Sequence, residues 1–263
     1  MSFETIDFEI SDGCARLMLN RPETLNCFNE AMHAEVRAAL DEAQSGGGCR
    51  ALLLTGAGRG FCAGQDLGDR RREPDAEPVD LGESLETNYN PLIRRLRSLD
   101  MPVVCAVNGV AAGAGVSIAL ACDVVLGARS AKFVMSFSRM GLVPDSGGTW
   151  MLPRLLGHAR ASALLMLGES VSSEQAERWG MIWRCVDDDR LEEEARTLCR
   201  HLATRPTRGL AMIRRALAET WSNSLDRQLD LECELQREAG RTEDYREAVA
   251  AFLEKRDPTF KGR

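Results

Sequence analysis

Lysine is almost missing from this chain: 3 of its 263 residues, against 30 arginines. Coding bias accounts for that as readily as a need for bidentate anion contacts. Net charge is −7 at pH 7 and no basic stripe offsets it, which argues against a nucleic-acid partner. The nine cysteines are odd in number and never spaced Cys-x-x-Cys. A disulfide framework and a structural zinc site are therefore not expected, and the thiols read as small buried side chains in a reducing cytoplasm. Met1–Ile10 lacks both a basic segment and an apolar segment of a secretory signal. No Walker-type Gly-Lys-Ser/Thr occurs, and Gly56-x-Gly58-x-Gly60 brings its third glycine one residue too early for a dinucleotide fingerprint. No cofactor and no metal are expected. His33, His158 and His201 stand alone on helix-like segments and read as surface or capping residues.

One long apolar run is present. Val103–Cys122 is twenty residues with only Asn108 and Ser117 polar, enclosing Gly109-x-x-x-Gly113. Its length suits a membrane span. Its glycines weaken a helix, however, and no aromatic or basic anchors flank it. A buried strand, a turn and a small-residue helix describe it better, so no membrane partner is expected.

Ile6–Ile10 and Ala15–Leu19 read as strands around Ser11-Asp12-Gly13. Asn29–Gln44 carries Met32, Val36, Ala39, Leu40 and Ala43 at helical spacing and stops at Gly46-Gly47-Gly48. Ala51–Thr55, Val103–Val107 and Val124–Gly127 are short apolar strands. Arg70–Pro78, with Arg70-Arg71-Arg72, reads as a charged surface loop, and Leu85–Leu99 as a helix. From about Ser172 the pattern is helical: Ser173–Trp179, Arg190–Ala203, Pro206–Thr220 and Leu225–Lys255. The rhythm is α/β, with a core over residues 1–200 and a helical C-terminal region over 201–263. No linker, low-complexity tract or strong repeat divides it.

Two glycine-rich turns follow apolar strands: Gly60-Phe61-Cys62-Ala63-Gly64-Gln65-Asp66 and Asn108-Gly109-Val110-Ala111-Ala112-Gly113-Ala114-Gly115. Brought together, they could aim two backbone amides at one oxygen, as an oxyanion hole does. Asn20-Arg21-Pro22-Glu23-Thr24-Leu25-Asn26, Gly58–Leu67, Val107–Asp123, Gly141-Leu142-Val143-Pro144, Gly147-Gly148-Thr149, Leu152-Pro153-Arg154 and Phe252-Leu253-Glu254-Lys255-Arg256 continue the pattern in order. This ordered set resembles the crotonase (enoyl-CoA hydratase/isomerase) superfamily over nearly the whole chain. The resemblance implies a ClpP-like spiral of ββα units, a helical C-terminal region that mediates trimer formation, and a homotrimer or hexamer. It also implies an acyl-CoA thioester substrate.

By the same resemblance the oxyanion donors are the amides of Gln65 and Ala114. The two glutamates of family hydratases correspond to Ser117 and Phe137, which cannot take a proton at neutral pH. Hydration by the two-carboxylate route is thereby disfavoured. Asp145 instead stands where several family isomerases carry an acid, although an aspartate before Ser-Gly-Gly also suits a helix cap. One carboxylate suffices to move a proton from one carbon to another, and an apolar wall including Phe137 would raise its pKa toward neutrality. Gly60–Leu67, Tyr89-Asn90-Pro91-Leu92, Ser130–Met135, Trp179–Trp183 and Leu229–Glu232 look like the family branch that isomerises ring-1,2-epoxyphenylacetyl-CoA to oxepin-CoA in phenylacetate degradation. That branch also shifts double bonds in acyl-CoAs. Tyr89, Ser117 and Phe137 would line the acyl pocket, and Leu25, Ala63, Gln65, Asp66 and Leu67 the CoA path. Phe252 and Lys255 would meet the phosphates in their own or a neighbouring subunit. A Δ3,Δ2-enoyl-CoA isomerase and a CoA-binding protein without turnover are the alternatives. Cys62 has no histidine placed to activate it and is not expected to act as a nucleophile.

Overall fold

Strand pairing begins at the N-terminus, where β1 (Ile6–Ser11) and β2 (Cys14–Leu19) form an antiparallel hairpin over Asp12-Gly13, both residues at positive φ. The structure is a computed structural model that describes residues 3–45, 48–68 and 80–263. The expected loop at Arg70–Pro78, its arginine run, and the helix stop at Gly46-Gly47 lie outside the described residues.

Helix α1 (Glu30–Ser45) buries Met32, Val36, Ala39, Leu40 and Ala43, the stripe its spacing predicts. Three strand pairs follow. The first is β3 (Ala51–Gly56) with β4 (Gly60–Cys62), leading to α2 (Leu81–Ser84), a π-helical turn at Leu85–Tyr89 and α3 (Asn90–Ser98). The second is β5 (Val103–Val107) with β6 (Val110–Ala112), leading into α4 (Ala114–Leu120). The third is β7 (Val124–Ala128) with β8 (Lys132–Val134), followed by a 3₁₀ turn at Ser136–Met140 and by α5 (Gly148–Leu156) and α6 (His158–Leu167). Then come β9 (Ser170–Ser172), α7 (Ser173–Arg178), β10 (Arg184–Val186) and α8 (Leu191–Ala203). The chain closes with α9 (Thr207–Glu219), α10 (Leu225–Ala239) and α11 (Glu243–Glu254).

The first strand of each pair joins a six-stranded sheet ordered β1-β2-β3-β5-β7-β10, and the second joins a four-stranded sheet ordered β4-β6-β8-β9. Each ββα unit thus climbs from one sheet to the other, which makes the expected spiral. β3 and β5 are buried along their whole length, with α8 packed on them, so both read as unbroken apolar runs rather than alternating ones.

Three sequence expectations need correction. Leu225–Lys255 is not one helix: it breaks at Gly240-Arg241, and Thr242 recaps the next helix by accepting the Tyr245 amide at 3.1 Å. Helical structure begins before Ser172, with α5 and α6. Among the described residues no helix is long and apolar enough to cross a membrane, and Val103–Cys122 divides into β5, β6 and α4.

The third correction concerns His33, which is neither a surface nor a capping residue. It is 5% exposed, with its ring 4.7 Å from Phe28 and 4.5 Å from Tyr89. Burial, with Arg37 adding to it, pulls its pKa down to about 4, so it is neutral at pH 7. The unfolded chain takes up this proton near pH 6.5 while the folded chain refuses it until about 4. Stability is therefore whole above pH 6.5 and drains as pH falls toward 4, at ~1.4 kcal/mol per unit. Urea unfolding of wild type is expected to lose about 2 kcal/mol between pH 7 and 5 through this group. His33→Leu is expected to flatten that slope, and an unchanged slope would refute the assignment.

Candidate active site

The site is built where β4 runs into the first glycine turn and β6 into α4. Strands β4 and β6 pair in parallel, Gly60 with Val110 and Cys62 with Ala111. Their approach is so close that a Cβ on Gly115 would sit 2.2 Å from the Cys62 carbonyl oxygen. Gly64 has φ +87°, and a Cβ there would lie 3.3 Å from the Ala114 amide nitrogen and 3.0 Å from the Ala112 carbonyl oxygen. The two turns therefore meet through backbone, as the sequence requires. Ala114 opens α4, where an amide has no partner inside the helix. The Gln65 amide sits between two neighbours that are engaged: the Gly64 carbonyl accepts from Phe28 and the Asp66 amide donates to Phe28. Among the described residues neither the Gln65 nor the Ala114 backbone amide is seen to donate a hydrogen bond.

Asn26 holds the first turn in place, a role the sequence reading missed. It is fully buried; its amide nitrogen donates to the carbonyls of Ala57, Gly60 and Phe61 at 2.8–3.1 Å, and its oxygen accepts from the Arg21 amide. The signal was the closing asparagine of Asn20–Asn26, whose spacing alone does not say what it binds. The Arg21 guanidinium pairs with Asp66 at 2.9 Å, both half-shielded, and so ties the same two segments together.

A cleft of about 290 Å³ opens at this junction. Ala63, Gln65, Leu67, Tyr89, Ala114, Phe137 and Asp145 line it together, seven of the residues expected there. Among its described lining residues Asp145 is the one carboxylate, and Leu81, Leu85, Met140, Leu142 and Val143 make the remainder mostly apolar. The volume suits an acyl group and the adjoining thioester rather than a whole CoA thioester. Tyr89 ends the π-helical turn and donates its hydroxyl to the Gln65 side-chain oxygen at 3.1 Å. That side chain also donates to the Phe28 and Asp66 carbonyls, which ties the acyl wall to the glycine turn.

Asp145 lies in the turn before α5, two residues ahead of its N-cap Gly147. Its carbonyl accepts from the Gly148 amide at 2.9 Å and from the Ser117 hydroxyl at 3.1 Å, and its carboxylate accepts from the Ser146 hydroxyl at 2.9 Å.

Other expected residues fall elsewhere. Ser117 is fully buried behind Asp145 and is not an acyl-pocket wall: α4 turns its hydroxyl toward the Asp145 main chain. Leu25 and Asp66 are not among the cleft-lining residues; Leu25 sits beneath the turn, at φ +53°, accepting the Ala63 amide at 2.9 Å. Phe252 is 82% exposed on α11 and Lys255 caps its end at φ +54°, and neither lines this chain's cleft. Cys62 is fully buried and burial pushes its thiol up to about 12, so it stays protonated and inert. His158 and His201 lie on exposed faces of α6 and α8.

The family model described as enoyl-CoA hydratase/isomerase matches residues 9–263. The chain is 56% identical over 260 residues to the 1,2-epoxyphenylacetyl-CoA isomerase of Escherichia coli (strain K12), covering 99% of each. It is 48% identical over 263 residues to a protein of Rhodobacter capsulatus named as a probable enoyl-CoA hydratase, covering 100% of each. Among solved structures, an enoyl-CoA hydratase/isomerase from Cupriavidus metallidurans CH34 superposes with a TM-score of 0.92 at 31% identity, over 100% of this chain and 98% of that one. With two glycine turns meeting at an apolar cleft and a match from Glu9 to the C-terminal residue, the chain belongs to the enoyl-CoA hydratase/isomerase family and has the crotonase fold.

Proposed function

We propose that this protein isomerises CoA thioesters without a cofactor, converting 1,2-epoxyphenylacetyl-CoA to oxepin-CoA and shifting double bonds in related acyl-CoAs. The observation that carries this reading is the cleft itself: among its described lining residues one carboxylate, Asp145, shares a mostly apolar space with the two amide-bearing turns. The thioester oxygen would lie against the Gln65 and Ala114 amides, which stabilise the enolate as charge develops. Asp145 would take a proton from the substrate and return it at another atom, or assist opening of the epoxide and ring expansion. The likeness to the E. coli isomerase supports the aromatic acyl group. The hydratase name of the Rhodobacter relative does not transfer easily, because Ser117 is buried against the Asp145 main chain and Phe137 is apolar.

CoA would run along Leu25, Ala63, Gln65, Asp66 and Leu67, with the nucleotide outside the cleft. The exposed apolar residues Ile213 and Leu217 on α9, Trp221 in the following turn, Leu225 and Leu229 on α10, and Phe252 and Leu253 support a homotrimer or hexamer, which we place in the cytoplasm. In it Phe252 and Lys255 would reach the phosphates of a neighbouring subunit's substrate.

The test compares kcat/KM on 1,2-epoxyphenylacetyl-CoA, a 3-enoyl-CoA and a 2-enoyl-CoA, with products identified by NMR. Oxepin-CoA formed fastest supports the reading. Turnover of the 3-enoyl-CoA alone would make the protein a Δ3,Δ2-enoyl-CoA isomerase. Binding of CoA thioesters with no turnover would overturn catalysis altogether.

A further inference from the structure

Ser146 stands out among the residues at positive φ. It has φ +52°, is followed by Gly147 at φ +82°, and is 3% exposed. A side chain in this left-handed region carries a strain that glycine would avoid, and burying a hydroxyl adds a further cost unless it is bonded. The bond it makes is to Asp145 Oδ1 at 2.9 Å. The backbone of Asp145 is independently pinned, its carbonyl accepting from Ser117 Oγ at 3.1 Å and the Gly148 amide at 2.9 Å. Behind the turn the packing is tight: a Cβ on Gly148 would meet Met135 at 2.9 Å and Ser117 Oγ at 3.1 Å. Main-chain bonds fix where Asp145 starts, but they leave its side-chain torsions unset. The Ser146 hydroxyl, by contrast, contacts the carboxylate itself.

We propose that Ser146 is a positioning residue that holds the Asp145 carboxylate in its reactive orientation toward the cleft. This rests on the reading of Asp145 as the proton-transfer group. A hydrogen bond to one carboxylate oxygen narrows the rotations open to the group, and misplacement by about 1 Å can cost on the order of 10²-fold in rate. Ser146 touches the carboxylate and not the substrate, since it is not among the residues lining the cleft.

The experiment measures kcat and KM for wild type, Ser146→Gly, Ser146→Ala, Asp145→Asn and the double variant Asp145→Asn/Ser146→Gly, with thermal unfolding of each. Glycine fits φ +52° without strain, so Ser146→Gly keeps the fold. Alanine keeps the Cβ restraint and lacks only the hydroxyl. The expected result is a loss of roughly 10-fold or more in kcat for both single Ser146 variants, with KM within about twofold. In the Asp145→Asn background Ser146→Gly is expected to cost no further activity, because it acts through a carboxylate already removed. Wild-type kcat in Ser146→Gly, with Asp145→Asn inactive, would overturn the Ser146 proposal alone. Additive losses, or loss in Gly but not in Ala, would assign Ser146 to the backbone and also overturn it. Full activity in Asp145→Asn would overturn the reading beneath it.

Discussion

Asp145→Asn is expected to lower kcat on the isomerised thioester by about 10³-fold, with KM and the unfolding temperature close to wild type. The magnitude follows from the cleft's inventory. Asp145 is the one carboxylate among its described lining residues, and the other polar side chains there, Gln65, Tyr89 and Ser136, are poor proton acceptors near neutral pH. Asparagine keeps the shape and can still accept the Ser146 hydroxyl bond, but it cannot carry a proton between two atoms of the substrate. The fold is spared because the turn is held by the Asp145 carbonyl, which the substitution leaves intact, through Ser117 and Gly148. Residual rate would come from the two amides, which need no side chain. Steady-state kinetics with circular dichroism checks this, and a kcat within tenfold of wild type would remove Asp145 from the reaction.

Gly64→Ala is the second large effect, and it attacks the other half of the site. The added methyl falls 3.3 Å from the Ala114 amide nitrogen and 3.0 Å from the Ala112 carbonyl, on a residue at φ +87°. The two turns must spread, or Gly64 must leave its left-handed conformation. Either movement changes the spacing between the Gln65 and Ala114 amides. Loss of one oxyanion donor typically costs ~10²–10³ in kcat, and the expected loss is of that order. Gly157→Ala supplies the control: φ there is +76° but nothing lies within 4 Å of the added Cβ. With ψ at 160° it carries backbone strain of about 1–3 kcal/mol for a non-glycine residue, without touching the cleft. Comparable losses of kcat in both variants would mean that strain, and not the amide pair, sets the rate.

Much of this site was legible in the chain because backbone geometry leaves a sharp mark on sequence. Close approach at Gly115 and positive φ at Gly64 both demand glycine, so the two turns could be recognised before any strand was placed. Asp145 was legible only beside Ser117 and Phe137, since an isolated aspartate before Ser-Gly-Gly looks the same whether it caps a helix or faces a substrate. Strands β3 and β5 were clear as apolar runs, whereas β4, β6, β8 and β9 were not. Each of those four has three residues, too few for a period to show. Helices α5 and α6 were hidden by Pro153 inside the first and Gly157 between them. His33 and Ser146 depend on what folds over them, Tyr89 in one case and the Asp145 side chain in the other, and local pattern carries no record of that.

The most direct test of the account is the fate of solvent oxygen. Wild-type protein is given 1,2-epoxyphenylacetyl-CoA in H₂¹⁸O, and the thioester product is weighed by mass spectrometry. An isomerase that works with two amides and one carboxylate yields a product of unchanged mass carrying no ¹⁸O. A product heavier by one labelled water would show that the cleft hydrates its substrate, and would contradict the single-carboxylate isomerase mechanism.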